Sequence, residues 1–296
     1  MIAAASDRGA VLAPAKVNLY LHVLGRRPDG YHLLDSLVVF AACGDRIEVA
    51  AAKTWQLTID GPFAADVPAG EDNLVLRAAR ALANEVGGPG AAIRLTKSLP
   101  VASGIGGGSA DAAATLRALL RLWRVRIDGE RLQRLALALG ADVPMCLTGR
   151  PAFIGGVGES INPAPDLPPF ALVLVNPRVA LPTARVFAQH AGPFSQSARF
   201  DGEPPADARA LARMLALRRN DLSAAATATA PEVATVLRAL AATPGVLLSR
   251  MSGSGATCFG LYETPAAAVV AGRVLAAQHP VWWIEAASVA VDAVSR

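Results

Sequence analysis

The stretch that most constrains this chain is residues 100–115, which read PVASGIGGGSADAAAT. Gly104, Gly106, Gly107, Gly108 and Ser109 crowd together, and an apolar-periodic helix pattern follows at once. Clustered glycines cost backbone entropy, so they mark a backbone that needs positive φ or a ligand approach too close for a Cβ. A loop of this kind empties here into a helix N-terminus, whose unpaired N–H groups and positive dipole end attract anions. A flexible linker would not run straight into a good helix, and a tight turn needs one or two glycines rather than four. The stretch reads as a phosphate cradle.

Two familiar cradles do not fit. The dinucleotide fingerprint asks for glycine where Ser109 stands, and a Walker A loop ends in Gly-Lys-Ser/Thr, whereas no lysine follows Lys97 before the helix ends. A third type of Gly/Ser loop remains.

At 296 residues the chain is long enough for two domains. Hydrophobic residues make up 53% and charged residues 18%, a globular rather than disordered balance. The most apolar runs, 170–175 and 266–277, fall far short of the ~20 residues of a spanning helix, and the N-terminus lacks a signal-peptide pattern. A cytoplasmic protein without membrane partners is expected. Cys43, Cys146 and Cys258 are odd in number and far apart, which suits buried thiols rather than disulfides or a metal pair. The net charge of +4 is not gathered into a basic block, so it fits an anionic small substrate as well as nucleic acid and does not decide the partner; no nucleic-acid binding beyond the non-specific level is expected.

Along the chain, residues 1–9 read as a loose tail, and 17–23 alternate as a half-buried strand with Lys16 at its entrance. A Pro/Asp-Gly turn over 25–30 leads to Tyr31-His32, and separate strands are expected at 33–41, 46–50 and 55–59. A helix over 73–86 has Asn73 as its cap and Gly87 as its stop, and a strand at 91–96 feeds the glycine loop. The helix behind the loop carries Ala112, Ala113, Leu116, Leu119, Leu120 and Trp123 on its core face. A helix over 128–139 precedes Asp142-Val-Pro, and a strand near 152–154 closes the first half. Four prolines in 163–169 mark a boundary, giving domains 1–164 and 165–296. The second half reads as a strand at 170–175, helices at 207–219 and 231–242, strands at 246–251 and 257–262, a helix from Thr264-Pro265 to Gln278 and a strand at 281–291. That is the split βαβ, ferredoxin-like order.

A cradle without a Walker lysine needs charge neutralisation and a group at the attacking oxygen. Asp142 is the candidate carboxylate, although an Asp at that place also serves as an ordinary helix cap. Lys16 beside a carboxylate would favour its ionised form and steady an oxyanion, yet a lysine at a strand end is commonly just solvated. Tyr31-His32 offers a stacking face and a hydrogen-bonding edge, or an aromatic lid over the core. Local physics leaves all three open.

Six separated motifs resolve them by resemblance: APAKVNL at 13–19, GRRPDGYH at 25–32, Asp72-Asn73-Leu74, KSLPVASGIGGGS at 97–109, LGADVP at 139–144, and SGSG at 252–255. In this order and spacing the chain resembles the GHMP kinase superfamily, and the GRRPDGYH segment is similar to that of its diphosphocytidyl branch. The resemblance implies an α+β fold with a ribosomal-S5-domain-2-like N-terminal domain, a ferredoxin-like C-terminal domain and the site between them. It implies ATP-dependent phosphorylation of the 2-hydroxyl of a cytidine-diphosphate-linked methylerythritol, a step of the non-mevalonate isoprenoid route, with Mg²⁺ as cofactor. Pro100, Val101, Ala102, Ser103, Gly104, Ile105, Gly106, Gly107, Gly108, Ser109 and Ala110 would wrap the ATP phosphates, with Asn73, Leu74 and Lys97 near the adenine. Asp142 would orient or deprotonate the 2-hydroxyl, and Lys16 would keep Asp142 ionised. Asn18, Tyr31, His32, Thr183 and Phe187 would hold the acceptor. One departure is Ala110, where the family loop commonly carries a second serine; no residue is assigned to the metal, and Asp111 is a candidate charge near it or simply a favourable charge at the helix N-terminus.

Overall fold

The computed structural model describes residues 9–200 and 202–290, so most of the expected N-terminal tail and residue 291 of the last strand lie outside it. Two long antiparallel strands, β1 (Val11–Arg26) and β2 (His32–Ala51), form the spine. They are joined by a turn in which the Arg27 amide donates to the Tyr31 carbonyl and Gly30 takes φ +90°. The first half continues through β3 (Gln56–Asp60), α1 (Leu74–Val86), β4 (Ala91–Thr96), α2 (Gly107–Trp123), α3 (Gly129–Leu139), α4 (Val143–Thr148), β5 (Ala152–Gly156) and β6 (Ser160–Pro163). The second half comprises β7 (Ala171–Asn176), α5 (Thr183–Ala188), α6 (Ala208–Ala216), α7 (Ser223–Thr229), α8 (Glu232–Ala241), β8 (Val246–Met251), β9 (Cys258–Tyr262), α9 (Pro265–Gln278) and β10 (Trp283–Ala290).

The strands run in the order β3-β4-β2-β10-β7-β9-β8, with β1 and β5 also paired to β2. The last four form the antiparallel ferredoxin-like order expected of the second half. Strand β10 reaches across to β2 through Val289 opposite Ala41 and Ala290 opposite Phe40, so the halves share one sheet.

Two expectations are corrected along the spine. The strands expected at 33–41 and 46–50 are one, because Gly44 is a point of close approach and not a turn. A Cβ there would lie 2.1 Å from the Ala13 carbonyl oxygen, and the β1–β2 register slips nearby, between Pro14 and Lys16. The strand at 17–23 is buried on both faces rather than one. Val17, Leu19 and Tyr20 pack among Leu211, Leu215 and Phe259 of the second half, and the polar residues Asn18 and His22 are buried with them.

Helices α1 and α2 cover the sheet with Val75, Leu82, Leu116 and Leu119 against Phe40, Ile47 and Ile93, while Leu120 and Trp123 are only partly buried. The expected caps are present: Asn73 Oδ1 accepts from the Val75 amide at 2.9 Å, and Gly87 closes α1 at φ +68°. Asp128 and Thr264 cap α3 and α9 in the same way. Helix α6 stops at Ala216, short of the expected 219, and α4, α5 and α7 are six or seven residues each, too short to carry a readable period. Among the described residues no helix is long and apolar enough to cross a membrane.

Candidate active site

The glycine loop and the SGSG turn interlock. A Cβ on Gly104 would lie 2.6 Å from the Ser252 carbonyl oxygen, and one on Gly253 would lie 2.7 Å from that of Gly104. Only glycine permits two backbones to meet this closely, and both residues also have positive φ. The Ser252 hydroxyl donates to the Gly104 carbonyl (3.1 Å), and the Thr257 amide donates to that of Ser103 (3.1 Å). Held this way, the loop turns through Gly106 at φ +66° into α2, which has no side-chain cap. The first amides of α2 therefore have no partner within the helix, and Gly106, Gly107, Gly108 and Ser109 line a cleft of ~860 Å³. That is the geometry of an anion site.

Not every residue of the loop faces that cleft. Ala102, Ser103 and Gly104 line it, whereas Pro100 and Val101 border a smaller adjoining cavity of ~230 Å³ together with Asn73, Leu74 and Lys97. Ile105 and Ala110 are fully buried in the core. Ile105 contributes through its backbone, accepting from the Lys16 amide at 2.9 Å. The methyl of Ala110 packs among the residues around Leu116, so the missing hydroxyl is absent from the core rather than from the cleft wall.

Against the loop, β1 presents Lys16, and the N-cap of α4 presents Asp142 to the same cleft. Lys16 Nζ lies 3.2 Å from Asp142 Oδ2, and the Asp142 side chain makes no capping hydrogen bond. The ordinary-cap alternative is thereby removed. Lys16 is nearly buried while the Asp142 side chain remains 37% exposed toward the cleft, which leaves the carboxylate accessible to a second partner. Lys16 Nζ also donates to Asn18 Oδ1 (3.0 Å), whose Nδ2 donates to Ser36 Oγ (2.7 Å), and the Asn18 amide donates to Ser252 Oγ (3.1 Å). Asn18 thus ties the lysine to the interlocked turns.

Lys97, expected near the adenine, lines the smaller cavity with Asn73 and Leu74, but its ammonium group is turned to buried carboxylates. Its Nζ is buried between Asp45 Oδ2 and Asp111 Oδ2, each at 2.6 Å, directly beneath Gly107. Burial alone would lower the lysine, but Asp111 and Asp45 hold it above its ordinary value. Burial, against the pull of Lys97 and with Asp45 adding repulsion, pushes Asp111 up to about 8. Asp45 Oδ1 accepts from the Ser98 and Leu99 amides at 2.6 and 2.8 Å, fixing the start of the loop. Asp111 is therefore a buried partner of Lys97 rather than a free charge at the helix end.

The far wall of the cleft is aromatic. Tyr31 is 64% exposed on the turn after β1, and the His32 ring lies 5.2 Å from that of Phe187 on α5. Partial burial, then Arg26 and His190, lower the His32 imidazole, favouring its neutral form. Thr183 Oγ1 lies 2.9 Å from Ser254 Oγ, so α5 is pinned to the SGSG turn. Ser36, Ser252 and Ser254 join the site although sequence reasoning assigned them no role, and only the second Ser/Gly run signalled two of them. Asp45 carried no signal.

The class follows from comparison. The description "GHMP kinases N terminal domain" matches residues 73–150, and "GHMP kinases C terminal" matches residues 206–280. A 4-diphosphocytidyl-2-C-methyl-D-erythritol kinase of Paramagnetospirillum magneticum is 58% identical over 93% of this chain and 96% of its own length. The same enzyme of Cereibacter sphaeroides is 54% identical over 94% and 98%. A crystal structure of a 4-(cytidine 5'-diphospho)-2C-methyl-D-erythritol kinase superposes with a TM-score of 0.78 at 36% identity, covering 95% of this chain and 98% of that one. A homoserine kinase from Cytophaga hutchinsonii, 18% identical with a TM-score of 0.71 over 99% of each chain, shares the fold alone. The protein is a GHMP kinase with the two-domain α+β fold of that class. Within it, the chain belongs to the 4-diphosphocytidyl-2-C-methyl-D-erythritol kinase family.

Proposed function

We infer that this chain transfers the γ-phosphoryl group of ATP to the 2-hydroxyl of 4-diphosphocytidyl-2-C-methyl-D-erythritol, a cytoplasmic step in non-mevalonate isoprenoid precursor synthesis. The observation that carries the reading is the Lys16–Asp142 pair at 3.2 Å, which lines the same cleft as the unpartnered amides of α2. Residues 1–164 supply cradle and pair, and residues 165–296 supply Thr183 and Phe187.

The triphosphate lies on the amides from Gly106 to Ser109, with its adenosine toward Asn73, Leu74 and the backbone near Lys97. The cytosine stacks on Tyr31, with the His32 edge and Phe187 beside it, and Asn18 and Thr183 place the rest of the acceptor. Asp142 accepts the hydrogen bond of the 2-hydroxyl and takes its proton as oxygen attacks the γ-phosphorus. The bond to the β-phosphate oxygen breaks, ADP leaves, and Lys16 stabilises the developing alkoxide. Among the described residues no group of three His, Cys, Asp or Glu could cage a metal. Mg²⁺ keeps few protein ligands and would be carried on the triphosphate, where Ser109 on the cleft wall would offer it a hydroxyl oxygen. When bound it neutralises charge on the β- and γ-phosphates.

The test compares ATP turnover with cytidylated and plain methylerythritol, in wild type and Asp142→Asn. Turnover with the cytidylated acceptor is expected, and the variant should lose at least ~10² in kcat while nucleotide binding persists, the scale of a lost general base. Equal turnover of the two acceptors ends the cytidine assignment, and a wild-type kcat in Asp142→Asn ends the mechanism.

A further inference from the structure

Arg117, in the middle of α2, is 8% exposed, and no carboxylate among the described residues lies within ion-pair distance. Its Nη1 donates to the Cys146 carbonyl at 3.0 Å, and its Nη2 donates to the Leu12 carbonyl at 2.9 Å, while Nε has no partner. Burial, with Arg121 nearby, lowers the guanidinium to about 10, which still leaves it charged near neutrality. A cation without a counter-ion is costly in a core otherwise built from Ala113, Ala114, Leu116 and Leu119. A methionine or leucine would pack there more cheaply, so the position asks what the charge does.

The answer lies in what the two carbonyls belong to. Cys146 sits in the last turn of α4, four residues past Asp142, where the helix leaves its carbonyls without intrahelical donors and a cation opposes the dipole. Leu12 lies on β1, four residues before Lys16 and just ahead of the register slip between Pro14 and Lys16. Arg117 itself rides on the helix whose N-terminus forms the cradle. One side chain therefore spans the three elements carrying phosphate amides, lysine and carboxylate. By contrast, the second-half Arg250, also buried, donates to the carbonyls of Leu19, Leu215 and Arg218, none of which is in α4.

We propose that Arg117 is a positioning residue that sets the spacing of Lys16 and Asp142 relative to the cradle through the Leu12 and Cys146 carbonyls. The proposal rests on the reading of Lys16–Asp142 as the reacting pair. The experiment uses the full chain, with Arg117→Met and Arg117→Lys each made in wild-type and Asp142→Asn backgrounds, and kcat and both KM values measured with ATP and the cytidylated acceptor. Arg117→Met should lower kcat on the order of 10-fold with each KM within about twofold, short of the ~10² that a 1 Å misplacement can cost. Arg117→Lys, which can reach one of the two carbonyls, should recover part of that loss. In the Asp142→Asn background Arg117→Met should cost clearly less, because only the placement of Lys16 is left to lose. An unchanged kcat, a parallel rise in KM, or the same fractional loss in both backgrounds overturns the proposal. If Arg117→Met does not fold, Arg117→Lys in the two backgrounds decides by the same outcomes. Failure of the mechanism itself is separate, because it is read from Asp142→Asn alone.

Discussion

Lys16 and Lys97 flank the same glycine loop, and each holds carboxylate oxygen, but their surroundings differ. Lys16 faces one carboxylate that is still open to the cleft, whereas Lys97 is sealed between two that are not. Chemistry needs a group that can change partner during the reaction, and the first pair keeps one. The Lys97 ammonium instead ties Asp45 of β2, which also holds the loop entrance, to Asp111 of α2. The difference separates the pair proposed to react from the brace that holds the loop beside it.

The comparison can be broken most severely at the brace. Lys97→Met leaves Asp45 and Asp111 buried without their cation, and stability should fall by about 3–5 kcal/mol, the usual result of removing one partner of a buried pair. Urea unfolding measures this, and an unchanged midpoint would mean that the brace holds nothing. Lys16→Met should do the reverse, lowering kcat by ~10² with little change in the same unfolding midpoint, as expected for lost oxyanion stabilisation. A loss of stability equal to that of Lys97→Met would erase the distinction.

A smaller effect separates the two through pH. Asp111 is raised to about 8 when folded, against ~3.9 for an unfolded aspartate, so across that window the folded chain keeps a proton that the unfolded chain has released. Its contribution to stability therefore falls as pH rises from about 4 to 8 and then levels off. Asp111→Asn should flatten the slope of the urea midpoint between pH 5 and pH 8, and a slope identical to wild type would contradict the assignment. The smallest expected effect is at Ala110. Because its methyl faces the core, Ala110→Ser should leave the KM for ATP within about twofold, consistent with a side chain that does not line the cleft. A tenfold change would bring that position back into the phosphate site.

What could be read from the chain beforehand was what is local. Asn73 with Gly87, and Thr264-Pro265 with Gln278, bound their helices because capping is settled within a few residues. Tyr31-His32 and the glycine loop were likewise visible as residue types in a run. The burial of Asn18 and His22 was not, since alternation marks polar residues as solvent-facing. Their partners come from far along the chain: Ser252 for Asn18, and the carbonyl of Gln196 and the amide of Arg219 for His22. The sealing of Lys97 escaped for the same reason, because Asp45 lies on another strand in the middle of a run that reads as a break. Gly44 looked like punctuation, and only the nearness of Ala13 explains it.

The interlock of Gly104 with Ser252 and Gly255 also bears on how the protein is made. The loop and the turn that braces it are 148 positions apart, which at ~5–20 residues per second corresponds to roughly 7–30 s of ribosomal elongation. During that interval the nascent chain carries a glycine loop with one wall absent, and β10, which pairs with Phe40 and Ala41 of β2, is made later still. A product cut short before Ser252 therefore lacks the hydroxyl and the backbone against which Gly104 is held.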